Sequence, residues 1–137
     1  MEIKIKWSNW IDDKDGRADW YGVLYVYGTD DEILYLGQAG KSSVTERVLG
    51  HFRDGVVEFC NEVAGDRWRV KVGYVDFGGD IDHDLLDDIE SLLIFTVKPR
   101  GNIANTVTRP RGRPGLTVIH RGKRRPLPER HNDPGPL

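Results

Sequence analysis

YGVLYVYGTDDEILYLG, residues 21–37, decides how the rest of the chain is read. Tyr21 to Tyr27 is a run of β-branched and aromatic residues, the composition of a strand. Gly28 to Asp31 reads as a turn and Ile33 to Leu36 as a second strand, so the two form a hairpin with a short connection. Gly37 to Lys41 is then a glycine-containing loop. Ser42 and Ser43 are candidate N-caps of a helix, and Glu46, three residues after Ser43, completes a capping box. That helix runs to about Phe52. Gly55 interrupts it, and Val56 to Val63 reads as a second helical piece.

Further out, Arg67 to Phe77 reads as a third core strand, closed by the Gly78-Gly79 turn. Leu85, Leu86, Ile89, Leu92 and Leu93 recur at helical spacing and predict an amphipathic helix over about Asp82 to Thr96, stopped by Pro99. On the amino-terminal side Ile3, Ile5 and Trp7 alternate with Glu2, Lys4 and Lys6, the pattern of a half-buried strand, and residues 11–19 read as a polar loop. Beyond Arg109 the chain is rich in Pro, Gly and Arg. Only Leu116 to Ile119 resembles a strand there, and the segment reads as extended and partly disordered.

The expected fold is therefore α/β (α+β): a small three-stranded, mostly antiparallel sheet flanked by helices, with an extra N-terminal strand and a basic C-terminal tail. The expected divisions are 1–19, 20–108 and 109–137. A length of 137 residues suits one domain. No apolar run approaches the ~20 residues of a membrane span, and Met1 to Trp10 lacks the hydrophobic region of a signal peptide. The single cysteine, Cys60, excludes an intramolecular disulfide framework and multi-cysteine zinc sites. It lies in an apolar stretch and reads as a buried core thiol. Together these features point to the cytoplasm.

The net charge of -2 conceals an asymmetry: residues 1–108 carry 12 basic and 20 acidic side chains, residues 109–137 eight and two. An acidic body with a basic end hints at a polyanionic partner.

Chemistry-bearing residues follow one another in a definite order. Gly22-Val-Leu-Tyr25 is followed by Tyr35-Leu-Gly37, then by Arg47 and His51, which are four apart and share a helix face. Glu90 follows on the acidic helix, with Asn102 beyond its end. This order resembles the GIY-YIG nuclease family. In that pattern Tyr25 and Tyr35 match the two tyrosines, Arg47 the helical arginine, His51 the frequent histidine one turn on, Glu90 the glutamate and Asn102 the asparagine. The resemblance covers roughly residues 20–106. The first motif reads VLY rather than GIY, and Gln38 stands where many members carry Lys, with Lys41 nearby.

The resemblance implies a divalent-metal-dependent endonuclease hydrolysing DNA, most simply double-stranded DNA. Glu90 is the expected ligand of one Mg²⁺ or Mn²⁺, with waters filling most other positions. Helical geometry places Glu90 at the border of the apolar stripe, with Asp84, Asp87 and Asp88 on the solvent side. Arg47 is expected to face the phosphoryl oxygens. Tyr25 is the candidate general base, with Tyr35 and His51 bonded around it and His51 as the alternative base. A free phenol is only ~0.1% ionised at pH 7, so Tyr25 must be acidified or pass its proton on. Gly37, Gln38, Lys41, Ser42 and Asn102 are expected at the substrate, with Arg109, Arg111 and Arg113 adding phosphate contacts from the basic end.

Other readings fit less well. GQAGKSS, residues 37–43, has two residues between its glycines where a P-loop needs four. Asp80, Asp82 and Asp84 lack the glycine and glutamate of a calcium loop and are better read as helix capping. The rival from another class is a catalytically inactive DNA- or protein-binding module that keeps the fold. Neither strand preference nor the choice between monomer and dimer is fixed by the sequence.

Overall fold

The computed structural model describes residues 1–11, 21–40, 42–102 and 113–133. Strand β1 (Glu2–Trp7) is followed by the hairpin β2 (Val23–Gly28) and β3 (Ile33–Ala39). Helices α1 (Val44–Asp54) and α2 (Val56–Ala64) come next, then β4 (Arg69–Val75), α3 (His83–Val97), β5 (Thr117–Gly122) and β6 (Arg130–Asn132).

Local chemistry explains the helix ends. The Ser43 hydroxyl accepts the Glu46 N–H at 3.2 Å and opens α1. Gly55 sits at φ 87°, the left-handed conformation that favours glycine, and so ends α1 and starts α2 without strain. The Asp82 carboxylate accepts the Leu85 N–H at 3.0 Å and caps α3, the role read for this aspartate run.

The sheet has six strands in the order β3-β2-β4-β1-β5-β6, not three. All neighbours are antiparallel except β1 and β5, which run parallel from Glu2↔Thr117 to Trp7↔Gly122. The N-terminal strand is thus no appendage. It lies between β4 and β5, with Ile3, Ile5 and Trp7 buried and Glu2, Lys4 and Lys6 exposed, as the alternation predicts.

The C-terminal region also departs from expectation, because residues 113–133 are built into the sheet rather than extended from it. Leu116, Val118 and His120 are buried. The Trp7 indole N–H donates to His120 Nδ1 at 2.9 Å, so His120 carries its proton on Nε2 and donates it to His131 Nδ1 at 2.8 Å. A strand whose ladder partner lies more than a hundred residues away, interrupted by His and Arg, leaves only a weak local signature.

Two cores flank the sheet. On one face Leu85, Leu86, Ile89, Leu92 and Leu93 of α3 pack on Ile5, Trp7, Leu24, Val26 and Leu36. On the other, Val44, Cys60 and Ala64 of α1 and α2 cover Val23, Tyr25, Tyr27, Leu34, Val70 and Val72. Cys60 is a buried free thiol, as expected. Each fully buried Leu or Ile here contributes roughly 1.5–3 kcal/mol. Among the described residues no helix is long and apolar enough to cross a membrane.

Candidate active site

The register of the hairpin places Tyr25 opposite Gly37. A Cβ at residue 37 would lie 2.5 Å from Tyr25 Oη, so the ring lies directly over the glycine. This makes the glycine of YLG a steric requirement of the tyrosine in VLY. Tyr25 is wholly buried, and its hydroxyl meets His51 Nε2 at 2.7 Å. His51 is fixed in turn by Asp54, one turn further along α1, whose carboxylate lies 2.8 Å from Nδ1. A carboxylate accepts only, so it takes the Nδ1 proton and leaves the Nε2 lone pair for the Tyr25 hydroxyl.

Protonation follows from burial. Desolvation lowers the His51 pKa below the usual imidazole value despite Asp54, so the ring is neutral at pH 7. Burial, and next the neighbouring Tyr35, push the Tyr25 phenol far above its ordinary value, against a hydrogen bond from Arg47. Tyr35 is only half-buried; its ring centroid lies 6.2 Å from that of Tyr25 and 4.6 Å from that of His51. Burial raises Tyr35 too, with the Glu90 charge next, while a hydrogen bond with Tyr25 works the other way. The Tyr25 oxygen is therefore already engaged by His51, Arg47 and Tyr35, and Tyr35 is the phenol with a flank toward solvent.

Arg47 joins this cluster to a cleft of about 440 Å³ between the end of β3 and the start of α3, where Gln38, Ser42, Asp84, Asp87 and Glu90 also line the wall. Glu90 is half-buried at the border of the apolar stripe, as its helical phase predicts. Its carboxyl is raised by burial, opposed by hydrogen bonds from the Gln38 side chain and backbone and reinforced by Asp87. The Gln38 amide also donates to Asp87.

Two of the three aspartates expected on the solvent side are placed differently. Asp87 is only half-exposed and lines the cleft, beside an Asp84 that stays exposed as expected. Asp88 is buried and paired with Arg113 Nε at 2.8 Å.

Not every expected site residue joins the cleft. Asn102 is buried, and its amide accepts the Leu36 N–H at 2.9 Å and donates to the Leu36 carbonyl at 2.8 Å. With Gly101 N–H on the Leu34 carbonyl at 2.7 Å, it supplies the hydrogen bonds that edge strand β3 lacks on its outer side. Asn102 thus positions Tyr35 and Gly37 from behind. Arg113 spends its guanidinium on Asp88 and its N–H on Asp133, away from the cleft. Lys41, Arg109 and Arg111 lie outside the described residues.

Sequence reasoning missed Asp54, Asp87 and His83, which also lines the cleft. Asp54 was within reach, being three residues from His51 on one helix.

Among the described residues no group of three or more His, Cys, Asp or Glu side chains is placed to hold a metal ion. Oxygen donors along the cleft include the carboxylates of Glu90, Asp87 and Asp84, the Ser42 hydroxyl and the Gln38 amide. In comparisons with protein-family models, curated proteins and solved structures, nothing matched this chain.

Proposed function

We propose that this chain is a divalent-metal-dependent endonuclease of the GIY-YIG type that hydrolyses DNA phosphodiester bonds. The observation that carries the reading is the Asp54–His51–Tyr25 series, with contacts of 2.8 and 2.7 Å, joined through Arg47 to a cleft that holds Glu90. The antiparallel trio β3-β2-β4, with α1 and α2 on one face and α3 on the other, fits the plan the resemblance implies.

The donor set suits a hard cation. Mg²⁺ is commonly held by one or two carboxylates with water completing its shell. Asp87 disfavours ionisation of Glu90, a repulsion that a divalent cation held by these carboxylates would relieve. A bound Mg²⁺ or Mn²⁺ supplies charge neutralisation at the scissile phosphate.

The protein's own groups do the rest. Arg47 offers a planar donor pair to phosphoryl oxygens as charge builds on them. Tyr35 takes the proton of the attacking water as its own passes to the Tyr25 oxygen, and the Tyr25 proton moves to His51 Nε2. Asp54 stabilises the imidazolium that forms. No free phenolate is required, which removes the difficulty posed by the raised pKa of both phenols. The base in this scheme is His51, acting through two hydroxyls. The buried, single Cys60 fits a reducing, cytoplasmic setting.

The test is nicking of supercoiled plasmid with Mg²⁺ or Mn²⁺ by the parent protein and Glu90→Ala. We expect metal-dependent nicking that falls at least about 100-fold in the variant. The parent rate should also fall as acid protonates His51, at a pH below 6.5. A pure parent protein that cuts neither supercoiled, branched nor single-stranded DNA would leave the rival reading, a binding module on the same fold. That rival draws support from the cleft wall, where, among the described residues, Asp84, Asp87 and Glu90 face one guanidinium, that of Arg47.

A further inference from the structure

A second cavity, of about 360 Å³, opens at the other end of the sheet, lined by Trp10, Asp30, Lys71, Lys123, Arg124 and Arg125 among others. The strand registers separate it from the cleft. Lys71 is level with Val26 on β2, whereas the cleft lies past Val23 and Ala39, where β2 begins and β3 ends.

Lys71 is only 3% exposed. Its ammonium donates to the Lys123 carbonyl and, at 2.9 Å, to the Arg125 carbonyl, and it sits 4.3 Å from the centre of the Trp10 ring. These partners are neutral and hold the charge in place, while the Asp30 carboxylate offsets part of it. Asp30 is the carboxylate of the lining, and it accepts the Trp10 indole N–H at 2.7 Å. Among the described residues the lining thus has four cations to one anion, in a chain whose first 108 residues are acidic overall. A desolvated ammonium raises the potential of such a cavity far more than a solvated one. The turn that supplies Lys123 to Arg125 is itself fixed, by Lys123 N–H on the Trp7 carbonyl at 3.1 Å and by Leu127 N–H on the Arg124 carbonyl at 2.8 Å.

We propose that this cavity is a phosphate-binding site for a nucleic-acid strand, separate from the catalytic cleft. Lys123 and Arg125 receive a backbone phosphate above the buried charge of Lys71, and half-buried Trp10 lies beside it as an aromatic surface for the adjoining base. The inference stands on this cavity's geometry and does not require the cleft to cut.

The experiment follows the Trp10 indole N–H resonance by NMR, assigned with Trp10→Phe. A twelve-residue oligothymidylate is titrated into the full chain in EDTA, with inorganic phosphate titrated separately. The expected result is a saturable shift with the oligonucleotide and a Kd at least about 10-fold weaker in Lys123→Ala/Arg125→Ala, whose substituted side chains are exposed. The salt slope should fall by roughly one to two. Arg47→Ala should leave this shift unchanged, which separates the cavity from the cleft. No shift at Trp10, an unchanged Kd in the double variant, or a response to inorganic phosphate but not to the oligonucleotide would each overturn the assignment.

Discussion

The buried His120 makes the fold acid-sensitive. The ring is fully buried, accepts from Trp7 and donates to His131, so it has no room for a second proton without breaking the Trp7 bond. Burial, then the charges of His131 and Arg124, lower its pKa from 6.5 to about 3. The unfolded chain binds a proton at this position below pH 6.5 and the folded chain does not. The stability associated with neutral His120 is therefore complete above pH 6.5, declines as pH falls, and is gone below about pH 3. At about 1.4 kcal/mol per pH unit, the loss is on the order of 3 kcal/mol by pH 4.5 and about 5 kcal/mol in total. Urea unfolding followed by tryptophan fluorescence between pH 7.5 and 4.5 measures it. His120→Gln offers an acceptor and a donor in similar places but does not titrate. Its stability should fall less steeply than the parent's, by close to one proton's worth of slope. Parallel pH dependences for parent and variant would refute this account of His120, as would an NMR titration of its ring between pH 5 and 7.

Two further substitutions test the architecture of the cleft. Gly37→Ala puts a methyl 2.5 Å from Tyr25 Oη and 2.6 Å from Cζ, so the ring must move by about 1 Å to reach van der Waals distance. The Tyr25–His51 bond is then lost, and nicking should fall by about 100-fold with an unchanged far-UV circular dichroism spectrum; retained activity would show that the proton path does not pass through Tyr25. Asn102→Ala strips the Leu36 N–H and carbonyl of their buried partner and should cost about 2–3 kcal/mol in chemical denaturation, whereas a cost below about 0.5 kcal/mol would mean the edge strand does not depend on this clamp.

What could be read from the sequence was what short spacings encode. The hairpin, the Ser43 and Asp82 caps, the glycine break at residue 55 and the apolar stripe of α3 are each settled within one or two turns of chain, and each lies where expected. Tyr25, Tyr35, Arg47, His51 and Glu90 come into electrostatic contact only through tertiary packing, beyond the reach of such spacings. Asn102 shows where that reach ends. It was expected at the substrate, yet its partners are main-chain atoms of Leu36, and main-chain groups leave no mark on a sequence.

The largest misreading, the basic C-terminal end, has one physical cause. Arginine and lysine look alike in a sequence whether they are solvated or held. Here Arg113 neutralises buried Asp88 of α3, the Lys123 and Arg125 carbonyls hold the Lys71 ammonium, and β5 pairs with β1 along its whole length. Among the described residues, charges that read as a tail are therefore held by strands of the sheet and the turn that joins them. A cation on a disordered segment loses conformational entropy on meeting a phosphate, whereas Lys123, Arg124 and Arg125 stand on a turn already ordered by folding. Whatever anion this end of the molecule meets, it meets a preorganised surface, and the acidity of residues 1–108 is no measure of that surface's charge.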